Sequence, residues 1–288
     1  MGYLLTLIIL LIGNANTVVG KNYVKRSMRI KTSNSIYILL AHPVAAIFFF
    51  ILAGGNVYLN LPTFLFSCAY GLVSIFSVIL TFRAYRETNL VYMNVFSGAG
   101  SFVIPFFVEW LLWDVEFSGL DFVCVLLRTV AIFIPLFFDK EKRKGMIVCM
   151  LLFALSASSS LVTRAYTLAP NVYPTSSWFF WTNVMVIPMV TIAVFMKEGP
   201  KTIASDIKAM KPMLYIFIIL ATAMSNVSSL ISVKVIAMLG TTMYSIVSSA
   251  MGMVLTILLS TLFFKEDIKK PTYVSAVLSV TAGILSVL

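Results

Sequence analysis

The chain has 288 residues, of which 60% are hydrophobic and only 11% are charged, with a mean hydropathy of +0.99 and a formal net charge of +10. The surface of a soluble domain needs far more charge than this, so the composition excludes a soluble globular protein and indicates a polytopic membrane protein. The positive charge needs no nucleic-acid partner, because 18 of the 21 Lys and Arg residues fall in short segments between apolar stretches. The three cysteines have no metal or disulfide spacing, and no cofactor is expected.

Ten apolar stretches near the length that a helix needs to cross a bilayer follow one another along the chain. They predict an all-α integral membrane protein with ten transmembrane helices joined by short loops. The longest loop, KEGPKTIASDIKAMKP, is expected to hold a turn of interfacial helix. The predicted helices are 2–20, 35–54, 63–85, 90–112, 119–138, 145–168, 173–196, 213–236, 240–264 and 271–288.

The first predicted helix has a polar centre that recurs later in the chain. The stretch LLIGNANTVVGKNY aligns with FALSASSSLVTRAY at a shift of 143 positions, which places Asn16 on Ser159 and Lys21 on Arg164. Helices 3 and 4 align in the same way with helices 8 and 9 at a shift of 151. These matches predict an internal repeat, with one half at 1–138 and the other at 145–288 in one compact membrane unit.

A repeat of five helices has an odd number of crossings, so consecutive copies cross the membrane in opposite senses. Inverted repeats of this kind are common in secondary transporters, which place the substrate site near the midplane between the halves. The basic loops indicate the cytoplasmic face, which puts both termini outside. Four tryptophans are then expected in an aromatic belt near the outer face, at Trp110, Trp113, Trp178 and Trp181.

Small and polar residues recur at helical spacing on several predicted helices, which indicates faces that point away from lipid. Any single serine in such a stripe is better explained by helix packing or by a bond to the carbonyl four residues back. The stripes taken together favour a substrate cavity, and the asparagines are the stronger members because one backbone carbonyl cannot satisfy an amide. The predicted cavity residues are Asn16, Tyr70, Ser74, Asn94, Ser97, Ser159, Ser225, Asn226, Tyr244 and Ser248.

Three ionisable residues lie inside the predicted helices, and two of them, Glu109 and Arg128, are candidates for coupling. Glu109 lies near the outer end of helix 4, where it either anchors the helix at headgroup level or shares a transported proton with Asp121. Arg128 lies in the middle of helix 5 and needs a carboxylate, helix carbonyls or a wet cavity as partner. His42 is the single histidine, expected near the cytoplasmic end of helix 2 in a structural role.

The closing stretch at 244–288 resembles the last helices of EamA-type members of the drug/metabolite transporter superfamily. Its small residues, an acidic Glu266 after a short apolar run and a late Gly283 carry the resemblance, and Glu116 stands near the equivalent place in the first half. The opening GNANTVVGK is similar to the family's first helix, which ends in a base. The resemblance implies that helices 1, 3, 4, 6, 8 and 9 line a central cavity and that helix 5 is peripheral, with a homodimer as a possible assembly. Family members keep both termini in the cytoplasm, whereas the charge distribution here predicts the reverse.

The resulting hypothesis is a secondary active transporter in a bacterial cell membrane, which exports or exchanges a small polar metabolite such as an amino acid by alternating access. A lipid translocase or a multidrug-type efflux carrier is the alternative. An integral membrane enzyme is a remote one, because the sequence has one histidine and neither an HExxH nor a GxSxG motif.

Overall fold

A computed structural model of the chain describes residues 2–138, 143–265 and 268–285. Within these ranges all regular structure is helical and no strand is present. Seven segments are long and apolar enough to cross a membrane, counting the longest one, Pro212–Phe263, once. The helices are α1 (Gly2–Ser27), α2 (Ser33–Leu52), α3 (Leu61–Glu87), α4 (Leu90–Leu112), α5 (Gly119–Phe138), α6 (Arg143–Leu168), α7 (Thr175–Glu198), α8 (Pro200–Ala209), α9 (Pro212–Leu258) and α10 (Lys270–Leu285).

The observed boundaries follow the prediction closely, with two informative differences. α4 and α5 begin and end where expected, and the loop KEGPKTIASDIKAMKP contains the short helix α8. α1 continues to Ser27 because its last turns are buried through Tyr23 and Val24 rather than lying in a solvated loop. The segment 139–142 and Glu266 lie outside the described residues.

The second difference lies between the predicted helices 213–236 and 240–264, which follow each other within α9 without a loop. At Gly240 the backbone leaves the helical region, with φ 78° and ψ 165°, and the chain then resumes as helix. A positive φ strains any residue with a Cβ, so glycine suits this position. We call 212–239 the first arm and 241–258 the second arm. The second arm ends in a π-helical turn, Leu259–Phe263.

The helices form a bundle whose closest contacts occur at glycines. A Cβ built on Gly100 of α4 would lie 2.1 Å from the main-chain oxygen of Phe153 on α6, so the two backbones touch. A Cβ on Gly283 of α10 would likewise lie 2.1 Å from the Cβ of Ala250 on the second arm. α1 packs along α9, α2 along α7 and α5 along α10. This arrangement leaves a polar interior between α1, α3, α4, α6 and α9.

Candidate functional site

The interior holds a cavity with two lobes, of about 310 Å3 and about 350 Å3, which share Gly13, Ser101 and Tyr244 among their lining residues. We call the two lobes together the central cavity. Its walls come from α1, α3, α4, α6, α7 and both arms of α9. Eight of the ten predicted cavity residues line it, namely Asn16, Tyr70, Asn94, Ser97, Ser159, Ser225, Tyr244 and Ser248.

The remaining two predicted residues, Ser74 and Asn226, line a smaller space of about 130 Å3 between α2, α3, α7 and the first arm of α9. We call it the recess. Tyr70 and Ser225 belong to the walls of both the recess and the central cavity, so the two spaces adjoin. The structure therefore brings all ten predicted residues to one connected region.

The central cavity is polar but carries no fixed charge. Among the described residues that line it, the polar groups are hydroxyls and amides, and no Asp, Glu, Lys or Arg is present. The single histidine of the chain lies in the recess. A buried charge without a counter-charge is costly, so walls of this kind suit a solute with little or no net charge.

Part of this polar lining is tied up within the protein, and part is free. The Nδ2 of Asn94 donates to Thr256 Oγ1 at 2.5 Å, and the hydroxyls of Ser232 and Tyr244 lie 2.9 Å apart. The side chain of Asn16 forms no hydrogen bond with any residue that the structure describes, although it lines the larger lobe. Its amide is therefore free to bind a solute or water.

Glu109 is buried within the protein, and its expected neighbour Asp121 is not its partner. Its side chain is only 2% exposed, and its carboxylate accepts hydrogen bonds from the backbone N–H groups of Thr241 and Thr242 at 3.1 and 3.2 Å. The hydroxyl of Thr242 also donates to it. Asp121 instead accepts from the N–H and hydroxyl of Ser118, both at 2.8 Å. Glu109 thus satisfies the donors that the break in α9 leaves open at the start of the second arm.

Arg164 of α6 completes this arrangement. Its Nε lies 3.4 Å from Glu109 Oε1, and its Nη1 donates to the carbonyl of Ile236 at 3.4 Å. We call this ion pair, with its contacts to the second arm, the Glu109–Arg164 pair. Ile236 lines the central cavity, whereas Glu109 and Arg164 line a separate space of about 520 Å3 that also contacts Glu116. The Glu109–Arg164 pair therefore lies between the central cavity and this second space.

Arg128 is buried at the contact between α5, α10 and the second arm of α9. Its Nη2 donates to the carbonyls of Ile246 and Ser279 at 3.2 and 3.4 Å, and its guanidinium lies 5.1 Å from the ring centroid of Phe102. No carboxylate among the described residues forms an ion pair with it. Of the three expected partners, helix carbonyls are the ones observed. Arg128 lines neither the central cavity nor the recess.

His42 lies in the middle of α2 rather than near its cytoplasmic end, and it is only 8% exposed. Its Nδ1 lies 2.8 Å from Asn183 Oδ1, and this contact joins α2 to α7. Trp178 also departs from expectation, because it is fully buried against Tyr166, at 4.0 Å between ring centroids, and not in a belt.

Sequence reasoning missed several residues of this region. Asn14 and Thr17 line the central cavity beside Asn16, and the polar centre of α1 was the available signal. Asn183 follows Thr182 on α7, and this polar pair in the wall of the recess was the available signal. Gly240 followed by Thr241 and Thr242 is typical of a helix start, which would have indicated an anion-binding end.

Comparisons with known proteins bear on the fold alone. No protein-family model matches the chain, and no curated protein does. A solved crystal structure, described only as that of a protein, is similar over 95% of this chain and 98% of its own, at 11% identity and a TM-score of 0.52. The full-length match shows that the arrangement of helices occurs in another protein of the same size.

Proposed function

We propose that the chain is a secondary transporter that exports or exchanges a small, polar, uncharged or zwitterionic metabolite by alternating access. The observation that carries the proposal is the central cavity, whose polar walls lie inside a bundle with an apolar exterior and hold no fixed charge among the described residues. Polar groups inside a membrane are costly and often mark the path of a solute. The membrane is the cell membrane of a bacterium in this proposal.

The packing supports two inverted halves, 1–138 and 145–288, with ten crossings when the two arms of α9 are counted separately. In this alignment α1 of the first half corresponds to α6 of the second, and α4 corresponds to the second arm of α9. A two-fold rotation that exchanges the halves then maps the contact between α1 and α9 onto the contact between α6 and α4. Both contacts are extensive in the structure. The same rotation maps the contact between α2 and α7 onto itself, and it does the same for the contact between α5 and α10. This is the contact pattern that a two-fold relation between the halves produces, and it agrees with membership of the EamA-type family.

A screen for stabilising ligands tests the function. Purified protein is heated with a panel of metabolites, because a solute that binds the folded state raises the apparent melting temperature. Each hit is then tested in proteoliposomes for exchange of internal labelled solute against external unlabelled solute. Saturable exchange supports a transporter, whereas a covalent change of the solute indicates an enzyme. Movement of labelled phospholipid between leaflets, or binding confined to apolar drugs, indicates one of the alternative carriers.

Two asparagines, one from each half, provide a mutational test of the cavity. Asn16→Leu and Asn226→Leu are each expected to abolish solute exchange while the protein stays folded in the membrane, because each removes a polar group from a wall. Asn22→Leu is the matched control, since Asn22 lies on α1 outside these cavities. Exchange at the wild-type rate in both test variants would mean that the polar stripes serve packing only.

The charge distribution gives a separate prediction of orientation. Single cysteines at Lys31 and Lys201 are expected to resist a membrane-impermeant thiol reagent in intact cells, and a cysteine at Asn56 is expected to react, because basic segments stay in the cytoplasm. All three positions are exposed in the structure. Permeabilised cells, in which all three must react, provide the control. The opposite pattern would restore termini in the cytoplasm, as in the family that the chain resembles.

A further inference from the structure

The recess has a defined hydrogen-bonding pattern that the central cavity lacks. It is walled by His42, Asn183 and Asn226, with the rings of Phe49 and Phe179 on one side. These rings are buried and stack on each other at 5.1 Å between centroids. At about 130 Å3 the recess has room for one functional group of a solute that otherwise occupies the central cavity.

The tautomer of His42 follows from its neighbour. Asn183 donates through Nδ2 to the carbonyl of Phe179 at 2.8 Å, and because a carbonyl only accepts, this bond fixes which end of the Asn183 amide is nitrogen. The Asn183 Oδ1 therefore faces His42 Nδ1 at 2.8 Å, and Nδ1 must carry the hydrogen. In the neutral imidazole Nε2 is then an acceptor, and no residue that the structure describes donates to it.

Asn226 contributes the opposite kind of group. The residue is only 9% exposed, and no described residue forms a hydrogen bond with its Nδ2 or its Oδ1, so the amide is free to turn its Nδ2 toward the recess. A buried donor without a partner is costly, so a solute group that accepts from it stabilises the bound state. The recess therefore offers His42 Nε2 as an acceptor and the Asn226 amide as a donor, beside hydroxyls such as that of Thr222 that can act as either.

We propose that the recess recognises a carboxamide group of the transported solute, an inference that rests on the proposed transport function. The N–H of the carboxamide donates to His42 Nε2, and its carbonyl accepts from Asn226 Nδ2. A carboxylate finds no cation among the described residues of the recess, and an ammonium group finds no anion. Burial of either charge without a partner is costly, whereas a carboxamide satisfies both free groups without bringing a charge.

The single histidine makes the test direct. The full chain, labelled with 15N-histidine and reconstituted in lipid nanodiscs, gives one pair of imidazole nitrogen resonances that need no assignment to a residue. We expect a neutral ring protonated on Nδ1. Acetamide is expected to shift the Nε2 resonance saturably, while N,N-dimethylacetamide, acetate and 2-propanol, which lack the amide N–H or the planar pair of groups, leave it unchanged.

Variants locate the effect. Asn226→Leu is expected to weaken the binding of acetamide at least about tenfold, which corresponds to about 1.4 kcal/mol and to the loss of one hydrogen bond to a buried group. Asn22→Leu, outside the recess, leaves the binding unchanged. A ring protonated on Nε2, an equal response to all four probes, or unaltered binding in Asn226→Leu would overturn the proposal. The wild-type probe series decides the matter even if Asn226→Leu fails to fold.

The measurement is independent of transport. Saturable binding of acetamide together with an absence of exchange for any solute would reject the transport function and keep the recess. Exchange of solutes that lack a carboxamide, together with no response to acetamide, would keep the transport function and reject the recess. The two failures are thus distinguishable.

Discussion

Replacing Glu109 by alanine is expected to lower the free energy of unfolding by about 3–5 kcal/mol, the usual cost of removing one partner of a buried ion pair. The change leaves Arg164 without its carboxylate and opens the N–H groups of Thr241 and Thr242 at the start of the second arm. The loss is measured by titrating the detergent-solubilised protein with SDS. Glu109→Gln is expected to lose less, because the amide oxygen still accepts from the second arm.

Glu116→Ala is the matched control, because Glu116 has the same charge, lies at the same end of the bundle and is exposed. It is expected to change stability by less than about 0.5 kcal/mol, as surface substitutions usually do. The double variant Glu109→Ala/Arg164→Ala is expected to lose less free energy of unfolding than the sum of the two single variants, because the two side chains interact. Additive losses would mean that Glu109 and Arg164 do not stabilise each other.

Gly100→Ala is expected to lower the free energy of unfolding by about 3 kcal/mol, the upper end of the range for overpacking. The added methyl group would meet the main chain at Phe153, and a backbone cannot move aside as a side chain can. α4 and α6 would have to separate, which also displaces Ser97 and Ser159 in the wall of the central cavity. SDS titration measures the loss, and binding of a stabilising metabolite should weaken with it.

Gly119→Ala is the control for this change. A Cβ at Gly119, at the first position of α5, meets nothing within 4 Å, so the same substitution adds no contact there. It is expected to be neutral or slightly stabilising, because alanine has less conformational freedom than glycine in the unfolded chain. Equal losses at Gly100 and Gly119 would mean that α4 and α6 are not in backbone contact.

Much of the cavity could be predicted because its signal is local. In a membrane helix a polar residue at a lipid-facing position is costly, so the spacing of Tyr70 and Ser74, or of Asn94 and Ser97, already indicates which face is interior. Helix length follows from the thickness of the bilayer, which is why α4 and α5 have the predicted bounds. Both arguments depend only on near neighbours in the chain.

The environment of Glu109 could not be predicted in the same way. Its partners are backbone N–H groups more than a hundred positions away, and they are free only because the chain breaks its helical path at Gly240. A hydropathy pattern separates two helices at that point but does not show that the N–H groups at the start of the second arm face Glu109. His42 presents the same difficulty, because its partner Asn183 lies 141 positions away on another helix.

The absence of fixed charge in the central cavity has an electrical consequence. Moving one elementary charge across a membrane held at 100 mV involves about 2.3 kcal/mol of work, so a carrier whose own charges change depth during its cycle responds to voltage. The described residues of the walls contribute none, and Glu109 and Arg164 form a pair of zero net charge. In the proposed transport cycle neither the walls nor this pair adds voltage dependence, so the membrane potential acts on the charge that the solute or an accompanying ion brings and on any movement of Arg128.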